Sequence, residues 1–173
     1  MPRAGRALTI HSSRRRFAAR LNSGVRCRME LPSELTEGAS LRGNEYAWVP
    51  DAFLGILARA EALGLACLGG QFQFRAPDAT CEMYWLNADA ADRLPAEPWD
   101  AYVARSTTEV RSAFTTLRQS TDFATEALRW SDVPELSGAD ASPEQYLCFV
   151  AYFIRERPAP NNSFKPTPLR GAA

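Results

Sequence analysis

The feature that most constrains the fold is the run LACLGGQFQFRAPDATCEMYWLNA, residues 65–88. Two stretches that alternate apolar and polar residues flank APDA, residues 76–79. A period of two is the mark of strands with one face buried. With APDA as a four-residue hairpin loop, Arg75 faces Thr80, Phe74 faces Cys81, Gln73 faces Glu82, Phe72 faces Met83, Gln71 faces Tyr84 and Gly70 faces Trp85. One face then carries Phe72, Phe74, Cys81, Met83 and Trp85, a core surface on which the Trp85 indole lies over Gly70. The other carries Gln71, Gln73, Arg75, Thr80, Glu82 and Tyr84. It is either a plain solvated face or a recognition surface with Tyr84 as its aromatic anchor.

Helices are expected on both sides of this hairpin. In residues 50–63, Phe53, Ile56, Leu57, Ala60 and Leu63 recur at helical spacing, with Pro50 suited to the first helical position and Gly64 to a left-handed stop. Residues 98–118 align Trp99, Tyr102, Val103, Ser106, Val110, Phe114 and Leu117 on one stripe. SPEQ, residues 142–145, combines a capping serine, a first-turn proline and a capping-box glutamine, so the apolar YLCFVAYFIRE that follows is expected to begin helically. Its β-rich composition keeps a strand open as the alternative. The fold class that follows is α+β, a small antiparallel sheet containing the hairpin and packed against helices.

Charge divides the chain. Residues 1–28 carry eight arginines and no acid, whereas residues 29–157 carry all 20 acids against ten arginines, a net charge of −10. An acidic core disfavours nucleic acid as a partner, because phosphate binding needs lysine and arginine to displace counterions, and it favours a basic partner. The head reads as an upstream extension of a frame starting at Met29, as a basic arm or as a targeting peptide. Residues 157–173, RPAPNNSFKPTPLRGAA, use the proline-rich vocabulary of an unpacked tail. The expected organisation is an Arg-rich extension over 1–28, one globular domain over 29–157 and a tail over 158–173. No apolar run approaches the ~18 to 20 residues of a membrane span, so a soluble, cytoplasmic protein without a membrane partner is expected.

The residues of catalysis are sparse. The one histidine, His11, lies in the head, which leaves the core without a Ser-His-Asp, Cys-His or histidine-based metal arrangement. Cys27, Cys67, Cys81 and Cys148 lack C-x-x-C spacing, and the last three fall on apolar elements where free cysteine behaves as a small hydrophobe. There is no phosphate-cradling glycine motif. Neither a metal nor a cofactor is expected. Asp89, Asp92 and Glu97 crowd the turn after the hairpin, where acids can cap a helix, face water or act as a carboxylate pair. A small enzyme using carboxylates near Glu82, Asp89 and Asp92 is therefore one alternative function, and a housekeeping interaction module is another.

The run NEYAWVPDAFLGILARAEALGLACLGGQFQF, then YWLN, then AEPWDAYVARSTTEV, resembles the Immunity protein 40 family of bacterial polymorphic-toxin immunity proteins. The matching positions are Ala47, Trp48, Gly64, Leu68, Gly69, Gly70, Trp85, Glu97, Trp99, Tyr102, Val103, Arg105 and Ser106, within residues 44–115. Gln71 stands where the pattern has an acid, and Tyr84 and Leu86 flank Trp85 where it has Asp-Trp-Tyr. The resemblance implies a non-enzymatic inhibitor that occludes a cognate toxin domain, a basic one by charge complementarity. The partner-binding residues expected for that task are Gln71, Gln73, Glu82, Tyr84, Asp89 and Asp92.

Overall fold

The computed structural model describes residues 30–156, so the expectations for the arginine-rich head and the proline-rich tail lie outside the described residues. The elements in chain order are α1 (Ser33–Thr36), β1 (Ser40–Arg42), β2 (Glu45–Trp48), α2 (Pro50–Ala62), β3 (Ala66–Ala76), β4 (Ala79–Asp89), α3 (Trp99–Ser120), α4 (Phe123–Ala127), α5 (Pro134–Ser137), a 3-10 turn (Pro143–Tyr146) and β5 (Leu147–Ile154). The strands form one sheet in the order β1-β2-β5-β3-β4, with every neighbouring pair antiparallel. The class is α+β, as the patterns require.

Both long helices form where their apolar stripes place them. In α2, Pro50 occupies the first turn, Phe53, Ile56, Leu57 and Ala60 are buried, and Gly64 takes the left-handed φ of 67° just beyond the end. Leu63, expected on the stripe, is instead 45% exposed, because the helix has already ended at Ala62. In α3, Tyr102, Val103, Ser106, Thr107, Val110 and Phe114 are buried. The two helices pack on each other and on one face of the sheet.

Four phenylalanines from four elements make the centre of the core. Phe53 of α2 and Phe149 of β5 lie 4.5 Å apart between ring centroids, Phe53 and Phe114 of α3 lie 4.8 Å apart, and Phe72 of β3 lies 5.0 Å from Phe149. Edge and tilted ring contacts of this kind add about 0.5–1.5 kcal/mol per pair beyond area burial. Trp48 closes one end, its Nε1–H donating to the Leu35 carbonyl at 2.8 Å inside the core.

The segment after SPEQ departs from its expected helical start. The helical geometry lasts one 3-10 turn, Ser142 makes no side-chain cap, and residues 147–154 extend as β5. The reason is position. β5 lies between β2 and β3 and is covered on both faces, and a strand buried on both faces needs a continuous apolar run rather than an alternating one.

That central strand also accounts for the glycine pair. A Cβ on Gly70 would stand 1.9 Å from the Val150 carbonyl oxygen and 2.7 Å from the Phe149 ring, so Gly70 makes room for β5 and not for Trp85. At Gly69, with φ 123°, a Cβ would stand 2.6 Å from the Asp89 Cα and 2.7 Å from the Ala88 carbonyl oxygen. The expected hairpin pairing holds for Arg75↔Thr80, Phe74↔Cys81, Gln73↔Glu82 and Phe72↔Met83, and the loop tightens to Pro77 and Asp78 because Ala76 pairs with Ala79. Beyond Met83 the register shifts. Gln71 pairs with Asn87 and Gly70 with Ala88, so Tyr84, Trp85 and Leu86 bulge out of β4 together.

Candidate functional site

The face of the sheet turned away from α2 and α3 carries the residues that the alternation placed there, but it is not uniformly open. Ala47, Cys148, Val150 and Tyr152 form a small cluster of their own, separate from the main core. Gln73 is 0% exposed and Arg75 8%, which corrects the expectation that both face solvent. Curling of the sheet is the cause. In order of strands, β1 and β3 are separated by β2 and β5, which in a flat sheet would place them ~14 Å apart, beyond an arginine's reach. Yet Arg75 of β3 donates from Nη1 to the Ser40 carbonyl at 2.7 Å and to Ser40 Oγ at 2.9 Å, and from Nη2 to the Glu45 carbonyl at 3.1 Å. With its amide turned to suit, Gln73 accepts from Arg75 Nε and Nη2.

Around this strut, burial works against the charged forms of Arg75, Cys148 and Tyr152. Burial lowers the pKa of the Arg75 guanidinium from its ordinary value. Burial pushes the Cys148 thiol up to about 11, so it stays protonated, and its S–H points at the Gln73 carbonyl at 3.4 Å. Tyr152 donates to Glu45 Oε1 at 2.6 Å, and burial raises its hydroxyl far above the ordinary tyrosine value, with the Glu45 hydrogen bond adding to the effect.

At the edge of the sheet the β4 bulge delivers two aromatic rings to the surface. Tyr84 is 47% exposed and Trp85 39%, and their rings meet edge to face at 5.0 Å. Trp85, expected in the core, leaves it because the register shift removes it from Gly70. It stacks on Trp130 at 6.1 Å, donates its Nε1–H to Glu126 Oε2 at 3.1 Å and lies under the Arg129 guanidinium at 5.1 Å. Trp130 in turn stands edge-on to Phe74 at 5.8 Å. The rings Phe74, Trp130, Trp85 and Tyr84 thus run unbroken from core to solvent, which holds the outer pair in fixed orientation.

Of the other expected partner residues, Gln71, Glu82 and Asp89 share the outer face with Gln73 by register, Gln71 and Glu82 half-buried and Asp89 exposed. Asn87 Nδ2 donates to Asp89 Oδ2 at 3.3 Å. Asp92 lies apart, in the loop between β4 and α3, where its backbone carbonyl accepts from Arg105 Nη2 at 3.0 Å. Nothing in the local spacing of Glu45, Tyr152, Glu126 and Arg129 ties them to the hairpin, and composition marks Trp130 only as a core residue, not as the partner of Trp85.

Several residues of the resembling motif have structural work. Arg105 clasps Glu97 with Nε and Nη2, each at 2.9 Å, and reaches Glu109 with Nη1 at 2.9 Å. Glu109 accepts from the Ala91 amide at 2.8 Å and Glu97 from the Leu94 amide at 2.9 Å, so one arginine fastens the whole 90–98 loop to α3. Trp99 Nε1 donates to the Gly64 carbonyl at 2.8 Å, tying the first turn of α3 to the end of α2. Among the described residues, no three or more histidine, cysteine, aspartate or glutamate side chains gather as a metal site, and no helix is long and apolar enough to cross a membrane. No protein-family model, curated protein or solved structure matches this chain.

Proposed function

We propose that this protein is a stoichiometric binding protein, an immunity factor that acts in the bacterial cytoplasm by occluding a toxin domain. The observation that carries the reading is the exposed Tyr84–Trp85 pair, anchored to the core through Trp130 and presented on a bulge. Large, rigid, half-exposed aromatics are the side chains that supply most binding energy at protein interfaces, because they bury area with little loss of rotamer freedom. The likeness of residues 44–115 to immunity proteins and the −10 charge of residues 29–157 support the same reading and point to a basic partner.

The binding surface is the bulge with the adjoining outer face: Tyr84, Trp85, Glu82, Gln71 and Asp89. Gln73 is a support beneath it and not a contact, since it is fully buried. The test is a binding titration with the protein encoded immediately upstream. Tyr84→Ala is expected to keep the fold and weaken the complex by ~2 kcal/mol or more, the scale of a central aromatic anchor. Wild-type affinity in this variant would remove the bulge from the interface.

A further inference from the structure

A cavity of about 210 Å³ opens between β1, the 3-10 turn and the start of β5, lined by Ser40, Arg42, Arg75, Val49, Gln145 and Cys148 among others. Among the described residues no acid lines it. That is unexpected in a domain with twice as many acids as arginines. Arg75, nine-tenths buried, spends its donors on carbonyls, an amide and a hydroxyl. Arg42 donates from Nη1 to the Ala79 carbonyl at 2.8 Å and to Thr80 Oγ1 at 3.0 Å, and from Nη2 to the Ala76 carbonyl at 2.5 Å. Among the described residues neither guanidinium lies within ion-pair distance of a carboxylate. Glu45, the acid whose charge acts on Arg75, has one carboxylate oxygen engaged by the Tyr152 hydroxyl.

Two guanidinium groups on one cavity, both hydrogen-bonded only to neutral acceptors, leave a positive potential that the Glu45 charge offsets only from beyond ion-pair distance. Such charge is costly when partly desolvated and strongly favours an incoming anion. Arg42 still has its Nε–H and one Nη2–H to offer, and Ser40 and Gln145 supply further polar groups beside them. We infer that this cavity is an oxyanion site, which takes a carboxylate or phosphate group on Arg42 in the field of the buried Arg75. The site is distinct from the Tyr84–Trp85 bulge and does not depend on the toxin-binding reading.

The experiment is an amide-resolved NMR titration of the full chain with inorganic phosphate, acetate and a short acetylated Gly-Asp-Gly peptide, each against sodium chloride at equal ionic strength. Saturable shifts at Ser40, Arg42 and Cys148 beyond those of chloride are expected. Tightest binding of phosphate assigns the site to a free anion, and tightest binding of the peptide assigns it to an acidic side chain of a protein. Arg42→Gln removes the donor and is expected to weaken binding by about tenfold or more, the scale of a charge-assisted hydrogen bond. Because Arg42 also fastens the hairpin turn, Val49→Phe is the second variant. Val49 is 55% exposed at the cavity wall and makes no side-chain hydrogen bond, so its enlargement blocks the cavity without disturbing the fold, and a similar drop in affinity is expected. Shifts no larger than those of chloride, or wild-type affinity in both variants, would overturn the assignment.

Discussion

The Glu97 carboxylate is held by both Nε and Nη2 of Arg105 and by the Leu94 amide, and these partners, the arginine first, draw its pKa from 4.5 down to about 2. A carboxyl depressed by folding contributes stability that is complete above its unfolded value and lost as pH falls through the folded one. Wild type is therefore expected to be more stable than Glu97→Gln at neutral pH, with the gap closing between about pH 5 and about pH 2. Denaturant unfolding at several pH values checks this, and a gap independent of pH would mean that the clasp does not act through charge. At Trp85 the indole is partly exposed and stacks on Trp130, so Trp85→Ala is expected to lower stability by about 2 kcal/mol, less than the ~3 to 5 of a fully buried aromatic. It is also expected to weaken partner binding, because Tyr84 leans on that ring. A destabilisation above about 4 kcal/mol would place the side chain in the core after all.

Among the elements, β4 is two regular half-strands separated by residues 84–86. Met83 pairs with Phe72 and Asn87 with the adjacent Gln71, so deleting Tyr84, Trp85 and Leu86 would join the halves into an ordinary ladder with every side chain still on its own face. The shortened protein is expected to fold with a stability lower by about 2 to 4 kcal/mol, since the packing of Trp85 and Leu86 is missing, and to bind its partner no longer. A shortened chain that binds normally would exclude the bulge as the interface. The helices α2 and α3 were legible because each buries one face of a 3.6-residue period, and the first four hairpin pairs because apolar and polar residues alternate there with a period of two. β5 was not legible in the same way. A run buried on both faces has no period, and its Ser-Pro-Glu-Gln preface supports one helical turn as well as several.

For the molecule as a whole, the proposed complex would draw on charge for how its partner approaches more than for how tightly it stays. The acids Glu82 and Asp89 lie on the outer face beside the bulge, in a domain of net charge −10. Reversing both to lysine is expected to slow association with a basic partner several-fold at low salt, with the difference shrinking at high ionic strength, because peripheral charges act by steering. Stopped-flow measurements at two salt concentrations check it, and a slowing that persists unchanged in high salt would show that these acids touch the partner directly and do not act through their field. The expected partner face was only partly legible at this scale. Register put Gln71, Gln73, Glu82 and Asp89 on one side, but the curl that lets Arg75 reach Ser40 buried Gln73 beneath that side. What the sequence by itself determined is the α+β class, the two long helices, the tip of the hairpin and the acidic balance, all of which follow from local period, turn chemistry and composition. Tertiary structure alone decided that β5 enters the middle of the sheet, that Gly70 is small for the Val150 carbonyl, that Trp85 leaves the core to stack on Trp130, and that the two arginines meet at one cavity. Each of these depends on which distant backbone or ring lies across from a residue, and contacts between segments tens of residues apart leave no trace in the spacing of near neighbours.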